Sequence, residues 1–460
     1  MLKLFLWLRY LRKKKIVFLS IAAVALSTAL LIVVASLFTG FISSFEAKAT
    51  KTIGDVVLST PVKFAKYPQL IEQLEQISAV KAATANLSSQ GLLHLGSGNV
   101  RAVQVWGIEP ASRSRVTEFK QFLRKQGTSD KEPSFELADS PEMTGGFLGI
   151  AVLAEPNEKT DEYDYSTIDR MLGESIVLTT GAMIETKTQT EDSDADSTQP
   201  SGPPQSKFKR KTIKFTIADI VETGVYDLDK SFIYLPIEKL QEALYPNEEG
   251  QFANQIQIKL ADDVPTDFAL AQIRGLWKAF ASEQLGWSSD IIAFTDIETA
   301  KQMQNKYVAE ILKQMKVLLV IFGIVSLSVI VLVFCIFYMI VMTQQRDIAV
   351  IKSCGAGSST VAWIFIVFGL CIGIIGGCSG AALGYIITKN INAIEQWTSM
   401  ILNLKLWKSS VYMFSEIPNQ VSWSLALPII LLAVVAAAIG ALIPAIVAAR
   451  TRPVEILRYE

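Results

Sequence analysis

The chain has 460 residues, half of them apolar, with 43 basic against 44 acidic side chains. A net charge of −1 supplies no basic field, so nucleic acid is not a partner. A single histidine, His94, leaves no material for a His-based triad or metal site, and Cys335, Cys354, Cys371 and Cys378 fit no zinc spacing.

Residues 1–15 place Leu2, Leu4, Phe5, Leu6, Trp7 and Leu8 ahead of Arg12, Lys13, Lys14 and Lys15, which reads as a cytoplasmic interfacial segment. Residues 16–38 carry no charge. As a helix they rise about 34 Å, enough to cross a hydrocarbon core of about 30 Å. The run is too long for a signal-peptide core and ends in no small-residue cleavage site, so it reads as transmembrane helix 1, uncleaved.

Residues 40–315 read as an ordinary soluble mixed α/β domain without cysteine. The expected order begins with a strand at 55–59 and a helix at 68–77 carrying Leu70, Ile71, Leu74 and Ile77 on one face. A hairpin follows, 80–95 with 100–106, around Gly96, Gly98 and Asn99, and then a short helix at 117–125. A second portion starts near Phe147, with strands at 175–180, 213–220, 230–235, 254–260 and 291–294 and helices at 236–244 and 265–284. From about Glu298 a helix runs unbroken into the next apolar run. Residues 187–211 are polar and of low complexity, which predicts a disordered insert.

Three further uncharged runs follow, transmembrane helix 2 at 317–342, helix 3 at 361–388 and helix 4 at 423–447. Between them lie a cytoplasmic segment at 344–360 and an extracytoplasmic loop at 389–422, and a cytoplasmic tail follows at 448–460. Lys13, Arg346, Lys352, Arg450 and Arg452 all fall on one side of a four-span layout, which assigns that side to the cytoplasm. The fold class is therefore an integral membrane α-helical protein with four transmembrane helices and a large α/β extracytoplasmic domain between helices one and two. In helix 3, Gly369, Gly373 and Gly377 form one small-residue row and Gly376, Gly380 and Gly384 another, predicting close helix packing, with helix 4 as the neighbour.

No glycine precedes a lysine, so no phosphate-binding loop is present, and G-x-S-x-G and H-E-x-x-H are also missing. No catalytic residue, metal or cofactor is assigned to this chain, which does not read as an enzyme.

The stretch from Gln345 through Arg346, Asp347, Ile348, Ala349, Val350, Ile351, Lys352, Ser353, Cys354 and Gly355 to Ala356 resembles the signature of FtsX-like ABC-transporter permeases. Further similarity lies in Trp106-Gly107-Ile108-Glu109-Pro110, in the run from Val221 to Asp229 that holds Thr223-Gly224, and in the ending with Pro444, Ala445, Arg450, Pro453 and Leu457-Arg458-Tyr459-Glu460. In all, the chain is most similar to the lipoprotein-releasing (Lol-type) permeases. The resemblance implies a multi-pass protein of the bacterial inner membrane. It also implies that Arg346, Asp347, Ile348, Val350, Ile351, Lys352 and Gly355 form a coupling helix seated in an ABC ATPase subunit. Two ATPase copies, which carry ATP and Mg, and a second permease chain, self or paralogue, complete the implied assembly. Membrane lipids, a lipoprotein substrate and a periplasmic carrier are the other implied partners. The energy would pass to the outer domain by mechanotransmission. Within the resemblance, a macrolide-exporter-like efflux or envelope-stress permease is an alternative, and a membrane regulator of a cell-wall hydrolase another. The apolar residues Ile348 and Ile351 are expected at the ATPase contact, with Gly355 at the helix C-terminus.

Overall fold

The computed structural model describes residues 15–96, 98–137, 143–185, 206–421 and 423–450. It divides into a helical unit, Met1–Ser44, Lys306–Thr398 and Ile417–Glu460, and a sheet unit, Phe45–Asn305 with Ser399–Glu416. Helices α1 (Lys15–Ile53), α2 (Tyr67–Glu75), α3 (Pro110–Val116), α4 (Tyr226–Ser231), α5 (Ile237–Leu244) and α6 (Thr266–Glu283) come first. They are followed by α7 (Ala300–Thr343), α8 (Gln345–Ser353), α9 (Ser358–Lys389), α10 (Ile391–Leu402) and α11 (Trp423–Arg450). The strands are β1 (Val56–Ala65), β2 (Val80–His94), β3 (Val100–Ile108), β4 (Gly145–Gly149), β5 (Ser175–Glu185), β6 (Ser206–Val221), β7 (Phe232–Pro236), β8 (Phe252–Leu260) and β9 (Asp296–Thr299).

In the sheet unit the nine strands run β3-β7-β4-β6-β5-β2-β8-β1-β9, and β3 also pairs with β2. Strand β2 is long enough to serve two sheets. Its first half pairs with β8 from Val80 to Asn86, and its second half sits between β3 and β5. The ring β2-β3-β7-β4-β6-β5 is thereby closed, and β8, β1 and β9 extend from it as an open sheet. Strand β1 shifts register between Ser59 and Phe64, where Pro61 lacks the donor a regular ladder needs. One apolar core runs through both parts, with Trp277 of α6 edge-on to Phe64 at 5.3 Å. Burial of Leu70 and Leu74 holds α2 on the sheet.

Several elements differ from expectation. The second portion shares one sheet with the first, because β2 bridges them. The strand expected at 291–294 is a turn of helix, Ser289–Ala293, with Asp290 in its first turn favouring the helix N-terminus over the β preference of two isoleucines. The helix expected at 117–125 is two 3₁₀ turns, Phe119–Phe122 and Gln126–Thr128. Of the insert at 187–211, residues 187–205 lie outside the described residues. Residues 206–211 belong to β6, where their backbone pairs with Thr180 to Glu185, so a polar composition did not prevent a regular ladder. The segment at 389–422 is not all loop: it contains α10 and a further turn, Ser409–Tyr412.

Among the described residues, four helices are long and apolar enough to cross a membrane: Val17–Ile53, Val308–Thr343, Ser358–Lys389 and Trp423–Arg450. Helix α1 has 39 residues and rises about 58 Å, well beyond the reach of its apolar run. Helix α7 has 44 and likewise starts before its apolar part. The expected interfacial segment and the last ten residues fall largely outside the described residues.

Candidate functional site

The turn between α7 and α9 is built around α8. Four of its residues, Arg346, Asp347, Val350 and Ser353, are exposed, as is Cys354 just after it. At 100° per residue they share one stripe about 120° wide. The opposite side is anchored. Ile348 is only 4% exposed and packs with Val341, Val361 and Ala448 of the neighbouring helices, and Ala349 is fully covered. Ile351 and Lys352 are half-buried, and the Lys352 ammonium donates to the Ala449 carbonyl at 2.7 Å, a cation at the C-terminal end of α11. Val350 is 51% exposed.

The helix ends in a Schellman motif. Ala356 N–H donates to Ile351 O at 3.3 Å and Gly355 N–H to Lys352 O at 3.0 Å. Gly355 takes φ +96°, where a side chain would be strained. Ile348 was expected at the partner contact. It is instead an internal anchor, because the first turn of α8 folds back onto α7, α9 and α11. The exposed apolar contribution comes from Val350, flanked by the charges of Arg346 and Asp347.

The glycine rows of α9 face two different neighbours. A Cβ on Gly369 would meet the Ala441 side chain at 2.5 Å, on Gly373 the Val434 backbone at 2.8 Å and on Gly377 the Ile430 side chain at 3.3 Å, all on α11. A Cβ on Gly380 would meet Ala25 O at 2.4 Å, and on Gly376 and Gly384 the side chains of Val24 and Ile32, all on α1. Displacing α9 therefore displaces both helices, since side chains have no room to give.

Within the sheet unit, the far end of α1 is gripped by side chains. The Arg113 guanidinium is fully buried and donates to Thr52 O at 3.0 Å and to the Gln257 Oε1 of β8 at 2.9 Å. It lies against the rings of Trp106, Phe119 and Tyr234, at 4.7, 5.2 and 5.6 Å. Burial lowers the Arg113 pKa to about 10, which leaves it charged at neutral pH. Helix α3, which carries Arg113, starts at Pro110, so the Trp106-to-Pro110 stretch sets both the ring and the cation.

A second grip comes from residues 223–229. Asp229 accepts from Thr223 N–H and its hydroxyl, each at 2.8 Å, and from Gly224 N–H at 3.1 Å. Burial pushes the Asp229 carboxyl up to about 7, against these bonds, which favour the charged form. The turn presents Gly224 O to the Lys48 ammonium of α1 at 2.7 Å, and Lys48 also lies over the Phe414 ring at 4.9 Å. Phe414 is buried, and Tyr226 N–H donates to the neighbouring Met413 O at 3.0 Å. Sequence reading singled out neither Arg113, Lys48 nor Phe414. The only signal was their place beside the two recognised stretches or in a loop rich in large apolar residues.

Among the described residues no cluster of three His, Cys, Asp or Glu side chains is arranged to hold a metal ion. What the geometry provides is mechanical: in the helical unit a helix with one exposed stripe tied to its neighbours, and in the sheet unit clamps on the last turns of α1.

The family described as FtsX-like permease C-terminal matches residues 319–453, which contain more than half of α7 and all of α8 to α11. The chain is 25% identical over 468 residues to the lipoprotein-releasing system transmembrane protein LolC of Neisseria meningitidis, covering 100% of this chain and 99% of that protein. It is 23% identical over 445 residues to the LolE protein of Haemophilus influenzae, covering 95% and 93%. Among solved structures, the periplasmic region of MacB from Actinobacillus actinomycetemcomitans aligns with 56% of this chain and 93% of its own, at 14% identity and a TM-score of 0.32.

Proposed function

We propose, from the premise that this chain is an FtsX-like permease of the Lol type, that it is the membrane subunit of an inner-membrane ABC transporter that releases lipoproteins. The ATP and Mg belong to a separate ATPase subunit, present in two copies and docked on the exposed stripe of α8. A second permease chain completes the membrane part. The four apolar helices span the bilayer, with the sheet unit on the outer side. The carrying observation is the construction of α8. Its outer stripe is exposed, while Ile348 and the Lys352–Ala449 bond tie it to three apolar helices. A push on α8 is thus passed to α9 and α11 and, through the glycine contacts, to α1. Work delivered in this way moves an outer domain without a transport pore.

The test is reconstitution. The chain, its ATPase and its partner permease are placed in vesicles loaded with a triacylated lipoprotein, and a soluble lipoprotein-binding carrier is added outside. ATP, and not a non-hydrolysable analogue, should move the lipoprotein into the soluble fraction. A complex that hydrolyses ATP but leaves all lipoprotein in the vesicles would overturn the reading.

A further inference from the structure

Helix α10 is inverted relative to an ordinary surface helix. Ala393, Ile394, Trp397, Met400 and Ile401 recur at helical spacing and form its exposed face, with Gln396 at the edge. Trp397 is 74%, Met400 83% and Ile401 78% exposed. Among the less exposed residues of the helix, Asn392, Thr398 and Ser399 each have a hydrogen-bond partner. Asn392 exchanges two hydrogen bonds with the Ile417 backbone, donating to its carbonyl at 3.2 Å and accepting from its N–H at 2.9 Å. The Thr398 hydroxyl donates to Ile394 O at 2.7 Å, and Ser399 Oγ accepts from Leu406 N–H at 3.4 Å. A water-facing helix would place these two sets of residues the other way round.

Its position in the chain selects the occupant. Only Asn390 separates α10 from α9, whose apolar length is read as a membrane span. Near that end of α9, Tyr385 stacks on Trp423 at the start of α11, with centroids 6.0 Å apart. Such ring pairs sit at the headgroup level, and α9 continues past Tyr385 for only four residues, about 6 Å of helix rise, before α10 begins. The exposed face carries an indole and no charge, and Lys389 stands exposed just before it, the arrangement of an interfacial helix.

We propose that α10 lies in the headgroup–acyl boundary of the bilayer, with Ile394, Trp397, Met400 and Ile401 inserted into lipid. The occupant of this face is the outer leaflet itself, and the helix fixes the depth at which the α9–α11 connection rides. This does not depend on the identity of the cargo or on the ATPase.

The full chain, with Cys335, Cys354, Cys371 and Cys378 replaced by serine, is reconstituted in phosphatidylethanolamine–phosphatidylglycerol vesicles. Single Trp397→Cys, Met400→Cys and Thr398→Cys variants carry an environment-sensitive fluorophore. At 397 and 400 a lipid with a nitroxide high on its acyl chain should remove more than half the emission, and iodide on both sides of the membrane should remove little. The label at 398 should be quenched far less by the nitroxide. Strong quenching by iodide at 397 and 400 would place the face in water. Protection from both quenchers would assign it to a protein partner, such as a second copy. Either result overturns the proposal. If the cysteine-free chain does not fold, the Trp397→Phe variant in the native background serves instead: the intrinsic emission lost on substitution should be the fraction that the nitroxide lipid quenches most.

Discussion

The two faces of α8 should separate docking from folding. Val350 is 51% exposed, so about half of a side-chain burial worth about 1.5–3 kcal/mol remains to be gained on docking, about 1 kcal/mol. In Val350→Asp that gain is lost, and an unpaired carboxylate in a dry contact adds about 2–5 kcal/mol. At about 1.4 kcal/mol per tenfold, the ATPase should bind at least a hundredfold more weakly. The same exposure limits the effect on the chain's own stability to about 0.5 kcal/mol. Ile348→Ala is the converse. It empties a site 4% exposed among Val341, Val361 and Ala448 and should cost about 2–5 kcal/mol, while the folded fraction still docks. Purified variants in nanodiscs are titrated with the ATPase subunit, and their thermal unfolding is followed in parallel. Val350→Asp binding as tightly as the parent, or losing affinity only together with its melting temperature, would refute this division of faces.

Arg113→Met leaves Thr52 O and Gln257 Oε1 buried without a donor. It should lower stability by about 3 kcal/mol or more, with partial recovery in Arg113→Lys, as read from melting temperature; an unchanged melt would remove the clamp. Gly380→Ala brings a methyl to 2.4 Å from Ala25 O and should cost about 1–3 kcal/mol, whereas Gly323→Ala, with nothing within 4 Å, should be neutral or stabilising. Equal melts for the two variants would show that α9 and α1 are not in close contact. Asp229 holds its proton to about pH 7 in the folded state, against an ordinary value of 3.8. Between those limits the folded chain binds the extra proton, so its stability should fall as pH rises from about 4 to about 7 and then level off. Asp229→Asn should remove that slope in denaturation curves of the full chain. A slope unaltered by the substitution would assign it to other groups.

The four long apolar helices were legible because uncharged runs of this length stand out from the rest of the chain, and the beginnings of α2 and α6 because a proline and an apolar periodicity coincide there. The end of α1 was not legible from hydropathy alone, since the helix continues through polar residues to Ile53; the start of α7 at Ala300 was legible, within two residues of the expected Glu298. The closed ring of strands was hidden, because it depends on β2 changing partners halfway, and an alternating pattern is silent about which strand lies alongside. For α8, the motif located the helix and Gly355 its terminus. It could not say that Ile348 turns inward, since an amphipathic stripe does not specify whether its apolar edge meets its own chain or another. Arg113 illustrates a further gap: a buried cation whose partners are a backbone carbonyl and a glutamine leaves no charge pattern in the sequence.

The pairing of β1 with β9 sets how the sheet unit takes a load. The chain enters the sheet at Val56 and leaves it at Thr299, and these two residues are partners in one antiparallel ladder of four pairs. Their Cα atoms are therefore about 5 Å apart. If α1 and α7 are drawn apart, the ladder is opened from its end, one hydrogen-bonded rung at a time, in the manner of a zip. If they travel together, no rung is strained and the whole sheet is carried along. The attachment is thus compliant to separation and stiff to common displacement, which makes it a filter for the kind of motion that the sheet receives.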